Sequence, residues 1–68
     1  MLGETIKRIR KEAGLNQVAF AEAIGCSQSF MSRMEREHHM PSHALALRLV
    51  RFAKARKIKV RLEELFSE

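Results

Sequence analysis

Sixty-eight residues hold one domain at most, and a chain of this size buries only about 60% of the surface its unfolded form exposes, so its stability is modest unless it oligomerises. Thirteen Lys and Arg against eight Asp and Glu give a formal charge of +5, an excess that favours a polyanionic partner without naming one. No apolar run approaches the ~18 residues of a membrane span, the charged, amphipathic N-terminus lacks the apolar stretch of a signal peptide, and a single cysteine excludes an internal disulfide framework and fits a reducing cytoplasm.

Residues 2–13 read as a first helix, with Leu2, Ile6, Ile9 and Ala13 on one face and Lys7, Arg8 and Lys11 on the other. Gly14 suits the position after its end, where Leu15 can fold back on it. Asn16 caps a second helix over 17–24, whose Phe20, Ala21 and Ile24 recur at helical spacing. Gly25 stops that helix, because glycine reaches the left-handed conformation a tight turn needs. Ser27 caps a third helix over 28–36, with Met31 and Met34 on its apolar face. Residues 38–40 form a loop, Pro41 bars a helix from running through it, and Ser42 caps a fourth helix. Its apolar stripe is Leu45, Leu49 and Ala53, widened by Leu47, Val50 and Phe52; Arg48, Arg51 and Lys54 form its polar side. Beyond it two expectations stand. The fourth helix runs one turn longer, or Lys57 to Leu62, which alternates polar and apolar residues, forms a strand. The helical version is preferred, because the flanking stripe is helical and a lone strand has no partner within the chain.

Two short helices about a glycine-bearing turn, Gln17 to Arg36, make the helix-turn-helix pattern. The ordered set Gln17, Ala21, Gly25, Cys26 at an apolar position, Ser27, Met31, Ser32-Arg33, Met34, Glu35-Arg36 and Pro41-Ser42 resembles the Cro/repressor-type (XRE) DNA-binding family over residues 2–55. The resemblance implies an all-α, five-helix, lambda-repressor-like domain over residues 1–68, with the helix-turn-helix at the second and third helices. It implies a sequence-specific regulator of transcription on double-stranded DNA, a repressor that occupies a palindromic operator as a homodimer. The setting it implies is the cytoplasm of a prokaryote or a phage host. No cofactor, small-molecule effector or membrane partner is expected. This family usually ends its fourth helix with glycine. Here glycine is absent, 54–59 reads as an insertion of about five residues relative to the family pattern, and Leu62, Leu65 and Phe66 resemble the closing fifth helix.

In this motif the third helix enters the major groove by its N-terminal residues and the second lies across the backbone. The family's base contacts fall on Gln28, Ser29, Ser32 and Arg33. Gln pairs bidentately with adenine N6/N7 and Arg with guanine O6/N7, so Gln28 and Arg33 are expected to carry the specificity. Gln17, Ser27, Arg36 and His43 are expected at the phosphates, which position the protein without reading sequence. Arg10 and Glu35 match a structural ion pair between the first and third helices. Phe30, where the family has a small or polar residue, either meets a thymine methyl or packs against Val18, and packing is preferred.

The apolar residues left over from the core, Phe52, Ile58, Val60 and Phe66, mark 52–66 as the dimerisation segment, as a helical patch or as paired strands. His38, His39 and His43 lack carboxylate or cysteine company at site spacing, so no metal is expected; Cys26 reads as a small core residue, and no catalytic group is expected. The rival reading is a protein-interaction module, an antitoxin or adaptor, with Phe30, Val18 and the C-terminal region as its contact surface.

Overall fold

The computed structural model of the protein describes residues 2–66, with Leu62 and Phe66 described by their backbone alone. Five helices follow one another: α1 (Leu2–Glu12), α2 (Gln17–Ile24), α3 (Gln28–Glu35), α4 (His43–Ala55) and α5 (Leu62–Phe66). Leu2, Ile6 and Ile9 of α1 meet Phe20, Ala21 and Ile24 of α2, Met31 and Met34 of α3, and Leu45, Ala46, Leu49 and Ala53 of α4 in one core, closed by Ile58 and by Leu65 of α5. Phe20 is fully buried and meets the edge of Phe52 with ring centroids 5.2 Å apart.

The helix starts follow from side-chain caps. Asn16, Ser27 and Ser42 hold extended backbone and accept from the N–H of Ala19, Phe30 and Leu45 respectively, each satisfying a donor with no partner inside its helix. The ends of α1 to α4 share one device: a residue in left-handed conformation, followed by an N–H that reaches back to a carbonyl five residues earlier. At Gly25 (φ 95°) that bond runs from Cys26 N–H to Ala21 O, and the same pattern closes α1 at Gly14. At the ends of α3 and α4 the left-handed residues are Glu37 (φ 66°) and Lys57 (φ 59°), with His38 N–H donating to Arg33 O and Ile58 N–H to Ala53 O. A side chain in this conformation costs roughly 1–2 kcal/mol.

Glu37 offsets that cost visibly. Its carboxylate accepts the Gly3 N–H at 2.9 Å, capping the start of α1 from the loop after α3. The two helices meet so closely there that a Cβ on Gly3 would lie 2.5 Å from Glu35 O, so only glycine fits. Glu37→Ala is expected to cost about 1 kcal/mol through loss of a charge-assisted bond at a helix N-terminus. A thermal melt checks it: an unchanged midpoint would show that the bond contributes nothing. Glu37 therefore differs from an ordinary surface carboxylate, which typically shifts stability by less than about 0.5 kcal/mol.

Residues 56–61 form neither of the two expected structures. The left-handed Lys57 stops α4 at Ala55, and no strand pairing occurs among the described residues. The assumption that Phe52, Ile58 and Val60 lie outside the core is likewise corrected. The turn at Lys57 folds Ile58 back under α4, leaving it 8% exposed, while Phe52 and Val60 pack partly buried against the same core. Arg56 lies over the Phe52 ring at 4.3 Å, and the side chain of Phe66 is outside the described residues.

Candidate nucleic-acid interface

Burying Met31 and Met34 turns the opposite face of α3 outward. Gln28, Ser29, Ser32, Arg33 and the following Arg36 line one polar concavity of about 310 Å³. All four residues expected to meet bases thus share a surface with one of the four expected at phosphates.

A network of hydrogen bonds fixes one edge of this surface. Arg10 Nε and Nη2 donate to Glu35 Oε2 and Oε1 at 2.8 and 3.2 Å, and Arg10 Nη1 donates to Leu15 O at 3.1 Å. The ion pair is nearly dry, with the side chains 13% and 3% exposed. All three guanidinium nitrogens of Arg10 bond inward, so its role is to hold α1 on α3. Glu35 Oε1 also accepts from Gln17 Nε2 at 3.1 Å, and Gln17 Oε1 accepts from Gln28 Nε2 at 3.4 Å. The chain of bonds runs from the buried pair to the tip of α3. It ties the amide nitrogen of the exposed Gln28 to this network and so orients the side chain.

The other expected residues divide. Ser27 Oγ caps α3 by accepting from Phe30 N–H at 3.1 Å. Gln17, at the start of α2, is drawn inward by Glu35 and supports Gln28. Arg36 is exposed, and His43 opens α4, also exposed. Phe30 is partly buried, and the ring it meets is His39, edge on at 5.3 Å; Val18 remains 55% exposed. The His39 contact ties α3 to the loop after it.

Two residues in this region carry roles the pattern does not announce. Arg48 reaches from α4 to donate to Ile24 O at 3.4 Å, at the end of α2. Its Nη1 would lie 2.8 Å from a Cβ on Gly25, a contact the flexible Arg48 side chain could relieve by shifting, so it is the left-handed φ of 95° that favours glycine in this turn. Cys26 sits partly buried in the same turn. Burial raises its thiol pKa and the nearby Arg48 only partly opposes this, which disfavours the thiolate, the nucleophilic form. Among the described residues no cluster of three His, Cys, Asp or Glu could hold a metal, and no helix is long and apolar enough to cross a membrane.

The family model for the helix-turn-helix domain matches residues 1–62. The chain belongs to the Cro/repressor-type helix-turn-helix DNA-binding family. Over 41 residues, 60% of this chain, it is 44% identical to the immunity repressor protein of Bacillus phage phi105. That match spans 28% of the phage protein, so this helix-turn-helix chain corresponds to under a third of that relative. No solved structure matches it. In the family's terms α2 and α3 are the helix-turn-helix, α3 is the recognition helix, and α1, α4 and α5 are the scaffold that buries its apolar side.

Proposed function

We propose that the protein is a transcriptional repressor that binds a palindromic double-stranded DNA operator as a homodimer and acts by occupying it, without catalysis. The observation that carries this reading is the polar surface of α3, on which an oriented Gln28 amide and an exposed Arg33 stand side by side. With α3 in the major groove, Gln28 reads adenine and Arg33 reads guanine, while Ser29 and Ser32 reach bases or phosphates. Through the backbone N–H groups at the start of α2 rather than through its inward-turned amide, Gln17 joins Ser27, Arg36 and His43 as a phosphate contact flanking the groove. Two copies on one two-fold site set their recognition helices about 34 Å apart. The similarity to a phage immunity repressor supports the repressor role and a prokaryotic or phage setting.

Selection from random duplex DNA will yield the preferred site, and binding should fall steeply with salt. On that site Arg33→Ala is expected to cost about 1–3 kcal/mol and to relax preference at one base pair. A loss of equal size on every sequence would make Arg33 a phosphate contact and remove the base-reading assignment. A wild-type protein indifferent to DNA sequence would instead favour the protein-interaction reading.

A further inference from the structure

The segment between α4 and α5 carries a second concave surface, distinct from the face of α3. It is an open cleft of about 690 Å³, whose lining includes Arg8, Lys54, Lys57, Lys59 and Arg61. Glu64, the acid in the lining, is already engaged: Arg8 lies 3.5 Å from it and it accepts the Arg61 N–H at 3.0 Å. Lys54, Lys57 and Lys59 form no ion pair among the described residues. The negative end of α4 would be satisfied by one or two cations in its last turn, which leaves Lys59 and Arg61 unexplained.

Burial alternates along this segment. Lys57, Lys59 and Arg61 are exposed, Ile58 is buried and Val60 is partly buried. From Ile58 to Arg61 this is the alternation of an extended edge segment, with the left-handed Lys57 as the turn before it, yet among the described residues no strand pairs with it. Among the described residues the backbone groups of Lys59 and Val60 make no hydrogen bond. Lys57 adds a second oddity. It occupies a left-handed position that glycine would fill without strain, and unlike Glu37 it makes no side-chain bond that offsets the cost.

We propose that the extended segment 58–61, with Lys57 at its margin, takes up an extended peptide of alternating acidic and apolar residues, from a partner protein, laid alongside it. Backbone bonds to the N–H and C=O of Lys59, which face one edge, supply the pairing, the lysines and Arg61 meet the carboxylates, and the apolar side chains rest on Val60 and the lysine stems. A second copy of this chain fits less well. Antiparallel self-pairing centred on Lys59 would set Lys59 directly against Lys59 and bring the other cations of the two segments together, and like charges directly opposite are destabilising. A nucleic-acid backbone would answer the charge but would leave the unpaired peptide groups and the apolar floor unused. The site is independent of the operator-binding reading.

The test uses fluorescence anisotropy with a labelled peptide of alternating Glu and Val. An oligoglutamate of equal charge and a duplex without the operator serve as comparison probes. The Glu–Val peptide should bind the whole chain more tightly than oligoglutamate. Lys57→Glu with Lys59→Glu should weaken that binding at least about tenfold. Arg33→Ala should leave peptide binding unchanged while weakening operator binding. Lys57→Gly should raise the melting temperature yet weaken the peptide, a trade-off that a merely structural lysine would not show. The proposal fails if the peptide does not bind, or if oligoglutamate binds equally well. It fails also if the charge-reversed variant loses affinity for the duplex and not for the peptide, or if the wild type is a dimer that the charge reversal dissociates.

Discussion

Replacing Glu35 with alanine will destabilise the fold by about 3–5 kcal/mol, because it strands the Arg10 guanidinium in a nearly dry site. Typical stabilities of about 0.05–0.15 kcal/mol per residue give a chain of 68 residues only about 3–10 kcal/mol in all. The substitution therefore removes a large share of it. The damage extends to the recognition surface. Gln17 loses its acceptor at Glu35 Oε1, and with it Gln28 loses the neighbour that orients its amide. Even in the fraction that stays folded, preference for adenine opposite Gln28 should weaken. Thermal and urea melts measure the first effect. A compensating double variant, Arg10→Met with Glu35→Leu, should recover most of the stability, since replacing both members of a buried pair is often neutral or better. A Glu35→Ala protein within about 0.5 kcal/mol of wild type would show that the pair does not hold α1 to α3.

Legibility in the sequence followed residue type. Asn16, Ser27 and Ser42 are good caps by their chemistry, and Gly25 is a good stop by its freedom, so the boundaries they set were readable directly. Glu37 and Lys57 do the same work as Gly14 and Gly25, but nothing in a glutamate or a lysine signals a left-handed backbone. That is why the end of α4 was misplaced and the α1 cap from Glu37 was unforeseen. On α3 the buried Met31 and Met34 dictate which residues face outward, so the surface from Gln28 to Arg36 follows from helical periodicity alone. Gln17 was harder. Its place at the start of α2 suggested a phosphate contact, and only the folded arrangement brings Glu35 close enough to draw its amide inward. The Phe30–His39 contact was hidden for a similar reason: His39 belongs to a loop whose path no periodicity describes.

The segment after α4 gives the sharpest separation between the two ways of reading the sequence. If Ile58 served only a contact between copies, Ile58→Asp would yield a folded monomer. The turn at Lys57 puts Ile58 beneath α4, 8% exposed, and its N–H closes the helix at Ala53 O with a 2.8 Å bond. A carboxylate at 58 would have to enter a site with no partner for it, and burying an unpaired charge is among the largest penalties a single substitution can impose. We expect Ile58→Asp to destabilise the protein by at least about 3 kcal/mol, enough to unfold much of a domain this small at ambient temperature. Val60→Asp, at a partly exposed position, should cost no more than about 1 kcal/mol. Circular dichroism melts of the two single variants decide the matter. A cooperative, wild-type-like melt for Ile58→Asp, together with a reduced sedimentation coefficient, would return Ile58 to an intermolecular contact. Unfolding of Ile58→Asp beside a stable Val60→Asp fixes Ile58 as the residue that locks the end of α4 onto the core and leaves the outward side of 57–61 open.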